Sequence, residues 1–508
     1  MRKGLLLVII LFILIFSFFA YQYLIPKQPE YPPGMNAIDK AALKADRIQT
    51  EELNAVIKAL KDNDNGRVVY GDRFMRWTVL AYTLWKIDQG NLTIVDPMKD
   101  LMIAYYERAW YPHVKNGPSM PFDALIQYFR ADGTWENYWC DYKPVYTAAY
   151  MLEYYLLTCF DQDWGTQNYP ILKNVSDSLL QMWLPDRHQP CAYMDANKIG
   201  NTLYTVKIIN KTCSVDSAMI YAALVASAQV AQLANDIEGY ENYTRYAEDL
   251  ITHFYTQTWE WFPTHIFGAN PEEAYGTALQ IGMTLPFIDG DQKIDELKDY
   301  LVENLRASED SWLLEWMKHD ETISPRSVFA AIGLAPKHPE LAYNILNAYA
   351  EVALSNNPWF LTTNWEIDGY EASDPLWVSG KYLQTYVFLK TRMTLGRIPF
   401  SPRLMTGNFT FQTALPSNSA GQTSINSTFP TLSGVIKVET RITEGNLTYI
   451  FTGGANQNVT IRFYTSYEPK VSCNAGEWGY IDNRSANTTT VWFIAESDIQ
   501  MKMEDAWR

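Results

Sequence analysis

Residues 356–380 read NNPWFLTTNWEIDGYEASDPLWVSG, which sets three carboxylates, Glu366, Asp368 and Asp374, among three tryptophans, Trp359, Trp365 and Trp377. The stretch runs directly into a strongly apolar helical sequence, LWVSGKYLQTYVFLKTRM. Flat indole faces beside carboxylates suit a sugar: the C–H face of a pyranose stacks on the aromatic ring while the acids handle hydroxyls or protons. A loop of this kind gains meaning when a rigid scaffold positions it.

Working outward, residues 35–402 contain twelve helical segments of two alternating kinds. Segments such as 142–160 and 216–234 are apolar almost all round, as helices surrounded by protein are. Segments such as 240–258 are one-sided: Tyr243, Tyr246, Ala247, Leu250, Ile251 and Phe254 recur at helical spacing, with Glu241, Arg245, Glu248 and Asp249 on the other face. Inner helices are expected near 72–88, 142–160, 214–234, 272–286, 324–334 and 375–395. Outer helices are expected near 36–62, 94–110, 168–183, 240–258, 291–306 and 338–355. Connections from inner to outer helices are short, whereas those from outer to inner are long, covering about 111–141, 184–213, 259–271, 307–323 and 356–374. Six parallel inner helices, each with an antiparallel outer one, predict a mainly α, six-hairpin, double-walled (α/α) barrel over 35–402. Its long loops share one face, and most of the tryptophans fall there.

Past Pro402 the pattern changes to alternating runs such as VIKVETRI, LTYIFTG, NVTIRFYT and TVWFIAE, separated by Gly, Asn and Ser. They predict a small antiparallel β-sandwich over 403–508, without a catalytic cluster of its own.

The N-terminus carries Arg2 and Lys3 before an uncharged, mostly apolar run from Gly4 to Ile25. That run is long enough to span a bilayer as one transmembrane helix, with the basic residues holding the N-terminus inside and everything beyond Pro26 outside. Residues 1–34 are therefore expected to form a signal anchor and a Pro-rich stalk, making this a single-pass protein of the cell membrane. Ten Asn-x-Ser/Thr sequons, six of them past residue 402, agree with an exported, glycosylated surface. A net charge of −16 argues against a nucleic-acid partner, because phosphate binding needs clustered Lys and Arg.

Among the five cysteines, Cys140 and Cys159 bracket one expected helix, which would hold them roughly 28 Å apart and beyond disulfide reach. Cys191 and Cys213 bracket a strand-like segment that can fold back as a hairpin, and they form the expected pair. No Cys-x-x-Cys or His-x-x-x-His spacing points to a metal, the six histidines show no grouping in sequence, and no cofactor is expected.

In its order of motifs the sequence resembles the six-hairpin glycosidases, and among them the α-L-rhamnosidases. The resemblance is carried by GDRFMRW at 71–77, Trp139-Cys140-Asp141, Trp365-Glu366, SDPLWVSGKYLQTYVF at 373–388 and the sandwich behind. It implies a glycoside hydrolase releasing terminal sugars, with Glu366 as the general base that activates water. The family's general-acid glutamate falls on Arg73, which cannot donate a proton at neutral pH. Asp72, then Asp141, then Glu136 are the candidates for the acid, and Asp72 serves equally well as an N-cap of the first inner helix. Trp135, Glu136, Trp139, Trp365, Asp368, Asp374, Trp377 and Arg73 are the expected substrate contacts. Inversion would pair the acid with the base across the ring. The alternative, suggested by Arg73, is a barrel that binds glycans of the cell envelope without cleaving them.

Overall fold

The computed structural model of the chain describes residues 31–117, 120–136, 144–191, 194–199, 203–208, 214–253, 315–317, 320–323, 331, 334, 339–355, 379–380, 382–383, 385–387, 408–413, 424–432, 434–443, 446–453, 457–465, 467–485, 488–495 and 498–505. The described residues are mainly helical up to residue 387 and β-rich from residue 408. Among the described residues no helix is long and apolar enough to cross a membrane, and the expected anchor at 4–25 lies outside them.

Helix α1, Ala37–Asp62, begins at Asn36, whose side chain accepts the Asp39 amide at 2.8 Å, and ends at Asn63 in the left-handed conformation. Its buried stripe, Ile38, Ala41, Ala42, Ala45, Gln49, Leu53, Val56 and Leu60, recurs every three or four residues. Strand β1, Val68–Tyr70, leads into α2, which is wound as a π-helix over Asp72–Leu80 and as an α-helix over Ala81–Asp88. Helix α3 spans Val95–Ala109 and strand β2 Tyr128–Arg130, before α4, Pro144–Phe160, which is buried along nearly its whole length. Helix α5, Tyr169–Gln181, is one-sided, α6, Ser214–Leu233, is buried over most of its described length, and α7, Ile237–His253, buries only Gly239, Tyr243, Ala247 and Leu250. Helix α8 spans Pro339–Ser355. These limits match the expected inner and outer helices to within a few residues. The helices expected at 272–286 and 291–306 lie outside the described residues.

Neighbouring helices fix one another's direction. Helix α2 is antiparallel to α1, since Tyr82 bonds Thr50 at 3.0 Å and Lys86 pairs with Asp46 at 2.6 Å. Helix α4 is parallel to α2: Gly71 abuts Tyr146 at one end, and Thr83 donates to Glu153 at 2.7 Å further along. Helix α5 is clamped to α7 by Asp236, whose carboxylate takes Lys173 and the Tyr169 hydroxyl at 2.8 Å and also caps α7 through the Gly239 amide. The Lys173 bond and the Gly239 amide together hold the Asp236 carboxyl down to about 2. The helical residues around 379–387 return to the start of the array. There Gln49 donates to Ser379 at 2.7 Å, Tyr382 donates to the Ile38 carbonyl at 3.1 Å, Tyr386 donates to Asp39 at 2.6 Å, and its ring meets Trp85 edge-on at 5.3 Å. This last segment therefore runs antiparallel to α1 and parallel to α2.

Two of the long connections carry three hairpins: β3, Trp183–Leu184, with β4, Gln189–Pro190; β5, Met194–Ile199, with β6, Leu203–Ile208; and β7, Glu315–Met317, with β8, Asp320–Ile323. The second is the fold-back expected between Cys191 and Cys213. Cys191 is buried, and Cys213 lies outside the described residues.

The C-terminal region is a two-sheet sandwich. One sheet has the order β10-β11-β12-β17-β14, from Ser424–Thr431, Gly434–Thr443, Asn446–Thr452, Ile499–Glu504 and Lys470–Cys473. The other has the order β15-β16-β13-β9, from Trp478–Asn483, Thr488–Ala495, Gln457–Tyr464 and Asn408–Thr413. Phe451 and Phe493 meet edge-on at 5.1 Å between the sheets, and Tyr449 packs on Phe463 at 5.7 Å. One pairing corrects the antiparallel expectation: β9 runs parallel to β13. A parallel pair needs a crossover connection, and strands β10 to β12 of the opposite sheet provide it. Gln162, between α4 and α5, donates to the Leu432 carbonyl at 2.7 Å and ties the sandwich to the helices.

Candidate functional site

The end of the helical array where α2 and α4 begin is built from a small antiparallel sheet. Strand β1 pairs with β2, with Val69 opposite Phe129 and Tyr70 opposite Tyr128, whose rings stack at 4.4 Å. A tight turn follows β2. Gly133 takes a φ of 81°, and Asp132 accepts both the amide and the hydroxyl of Thr134. The chain then doubles back so that Trp135 bridges Phe129 and the Glu136 amide reaches the Tyr128 carbonyl at 3.4 Å. Strand β2 thus has Tyr70 on one side and Glu136 on the other. At two strand spacings their backbones stand roughly 10 Å apart, and two residues past Tyr70 comes Asp72.

Gly71 makes this junction possible. Its amide donates to the Gln127 carbonyl at 2.7 Å, and a Cβ there would stand 2.6 Å from the Tyr105 hydroxyl, 3.0 Å from the Tyr146 ring and 3.2 Å from the Gln127 oxygen. Two of these neighbours are buried tyrosines and the third is backbone, so none can yield cheaply. Gly71→Ala is expected to destabilise the fold by about 1–3 kcal/mol, the usual cost of overpacking. An unchanged urea midpoint would show that the junction has room that its geometry denies.

The start of α2 corrects the reading of Asp72 as a helix cap. The flanking residue is Gly71, already in helical geometry at φ −56° and ψ −46°, and Asp72 is the first residue of the π-helix. A π-helix closes i→i+5 hydrogen bonds, is rare, and is found mostly as short insertions at functional sites. It also alters the angular offset between residues 72 and 77 from that of an α-helix.

Of the predicted contacts, Glu136 is largely buried and ion-paired with Arg130, and Trp135 beside it is half-buried. At Asp72 and Arg73 the described feature is the backbone. Trp139, Asp141, Trp365, Glu366, Asp368, Asp374 and Trp377 lie outside the described residues. In sequence, Asp141 stands shortly before α4, and the stretch carrying Glu366 precedes the helical residues that run parallel to α2.

Elsewhere the fold gathers side chains that the sequence spacing kept apart. His188, Asp249 and His253 meet where β3–β4 packs on the end of α7, correcting the view that the histidines are ungrouped. Between α5 and α7 there is also a surface groove of about 540 Å³ lined by Asp177, Trp183, Arg245 and Tyr246 among others.

No protein-family model matches the sequence, and no curated protein does. Among solved structures the chain is similar to an α-L-rhamnosidase from Dictyoglumus thermophilum, with a TM-score of 0.50 and 11% identity over 86% of this chain and 46% of that one. It is also similar to the Streptomyces avermitilis α-L-rhamnosidase complexed with L-rhamnose, at a TM-score of 0.44 and 12% identity over 85% of this chain and 38% of the other. A family GH78 rhamnosidase from Bacillus sp. GL1 matches at a TM-score of 0.34 and 13% identity, over 60% of this chain and 31% of that one. The chain spans less than half the length of each of these rhamnosidases. At such identities the likeness speaks for architecture alone: helices followed by a sandwich make up, in this chain, a rhamnosidase-like glycoside hydrolase fold.

Proposed function

We propose that this protein is a membrane-anchored, exported glycoside hydrolase that removes terminal sugars by inversion, on a closed six-hairpin barrel whose long loops form the pocket. The observation that carries the reading is directional. The first inner helix and the helical residues 379–387 run parallel, so both start at one end of the array; the Asp72 junction leads into the first, and the Glu366 stretch precedes the second in sequence. An inverting pair needs two carboxyl groups roughly 6.5–9.5 Å apart on opposite sides of a sugar ring. Glu366 would activate the water, Asp72 or Asp141 would protonate the leaving oxygen, and Trp135, Glu136, Trp139, Trp365, Asp368, Asp374, Trp377 and Arg73 would hold the sugar. A second reading rests on one residue: Arg73 in place of the family's acid suits a glycan-binding protein without turnover.

The test uses the full chain in membranes of an expressing cell, assayed against a panel of aryl glycosides that includes an α-L-rhamnoside. Hydrolysis that sediments with the membranes, giving the inverted anomer first, is the expected result. Glycan binding without release selects the second reading. Absence of both turnover and binding removes both.

A further inference from the structure

We infer that His188, Asp249 and His253 form a binding site for a borderline divalent cation, of which zinc is the best match. The inference does not depend on the glycosidase reading. The Nδ1 atom of His188 stands 2.8 Å from Asp249 Oδ1, the Nδ1 atom of His253 stands 3.2 Å from the same oxygen, and one ligand atom from each residue lies within 4.8 Å of the others. A zinc ion with bonds of 2.0–2.1 Å to nitrogen and oxygen sets tetrahedral ligands about 3.3 Å apart. Two of the three edges of one face of such a site are thus already close to that length, with the fourth position left for water. Two imidazoles and a carboxylate are a donor set that suits zinc better than calcium or magnesium, which prefer all-oxygen shells.

Two features of the chain bring the three ligands together. Asp249 and His253 are four residues apart on α7, the spacing that stacks two side chains on one helix face. His188 comes from across the loop. The short 3₁₀ turn Pro185–Arg187 ends at His188, which takes a φ of 54° and ψ of 32°, an uncommon left-handed conformation for any residue other than glycine. That backbone is strained, and the imidazole it supports lies flat on His253, with ring centroids 3.5 Å apart and planes 8° from parallel. The side chains are between about three-tenths and four-tenths exposed, enough for an ion to enter without unfolding the wall. The Nδ1 of His253 also meets the Asp249 carbonyl at 2.8 Å. On ion binding that bond is given up, and the ring protons sit on the Nε2 atoms. The bound ion would pin the start of the connection after α5 to the last turn of α7.

The competing account is a stacked histidine pair that only caps the helix through Asp249. To separate the two, the full chain, purified without a histidine tag and stripped with chelator, is titrated with zinc against a chromogenic competitor. The bound metal is then counted by elemental analysis. Expected are one tight zinc per chain and a drop in affinity of at least tenfold in His188→Gln and in His253→Gln. Cobalt, substituted for zinc, should give the visible absorption of a four-coordinate site in the wild type and lose it in both variants. Circular dichroism in chelator shows whether each variant is folded, and zinc should raise the melting temperature of the wild type only. Should either variant fail to fold, Asp249→Asn is read in the same titration, with the same loss expected. Failure of the wild type to hold stoichiometric zinc overturns the inference, as does wild-type affinity in the folded variants.

Discussion

Glu366→Gln is expected to lower glycoside turnover by roughly 10²- to 10⁴-fold, the range for loss of a general base, while leaving ligand binding and thermal stability nearly unchanged. Gln keeps the size and the hydrogen-bond acceptor but cannot take a proton from water. Glu366 is singled out because it alone joins a Trp-Glu pair matching the rhamnosidases, tryptophans on both sides in sequence, and a place just before the segment that packs on α1 and beside α2. Because the loss would fall on the chemical step, kcat should drop while KM stays within a few fold. Equal turnover by the wild type and the Gln variant would remove Glu366 as the base and the inverting mechanism with it. Where the Gln variant does lose turnover, a comparable loss in Asp72→Asn but not in Asp141→Asn assigns the acid.

The helical plan was legible because burial differs so sharply between the two kinds of helix. Helix α4 reads as apolar on every side and is buried on every side, while α7 shows its face in the spacing of Tyr243, Ala247 and Leu250. The π-helix was not legible, for the same physical reason that made α2 recognisable as inner. Phe74, Met75, Thr78, Val79 and Leu80 are all buried, so no polar face reports the winding period. The direction of β9 was hidden too, since NFTFQT alternates identically whichever way its neighbour runs. His188 and Asp249 are 61 positions apart and meet only because the parallel outer helices α5 and α7 are neighbours. Spacing within a single helix finds Asp249 and His253, but only packing between helices adds the third ligand. In the candidate site, the sequence placed Trp135 and Glu136 in one long loop and Asp72 at a helix start. That β2 stands between them came from the pairing of β1 with β2, two short strands whose few residues carry little pattern.

The second large effect lies in the core, at Glu153. It sits in the middle of α4, fully buried, with Oε1 accepting the Thr83 hydroxyl at 2.7 Å and Oε2 without a hydrogen-bond partner among the described residues. Burial raises its carboxyl from an ordinary 4.5 to about 8, against a smaller opposing effect of the Thr83 hydrogen bond. The folded protein therefore keeps a proton that the unfolded chain gives up, so stability falls as pH rises through the interval between 4.5 and about 8. The slope from this group is about 1.4 kcal/mol per pH unit within the window and flattens on either side. Glu153→Gln keeps an acceptor for Thr83 and cannot ionise. Its stability relative to the wild type should improve by about that amount for each unit from pH 5 to pH 8, read as the gap between urea unfolding curves at matched pH. The sign at pH 5 is set by how well the added amide packs, whereas the change of the gap with pH depends on ionisation alone. Parallel curves across the window would mean that Glu153 ionises inside the fold without penalty, and that water or an unseen cation reaches the interface between α2 and α4.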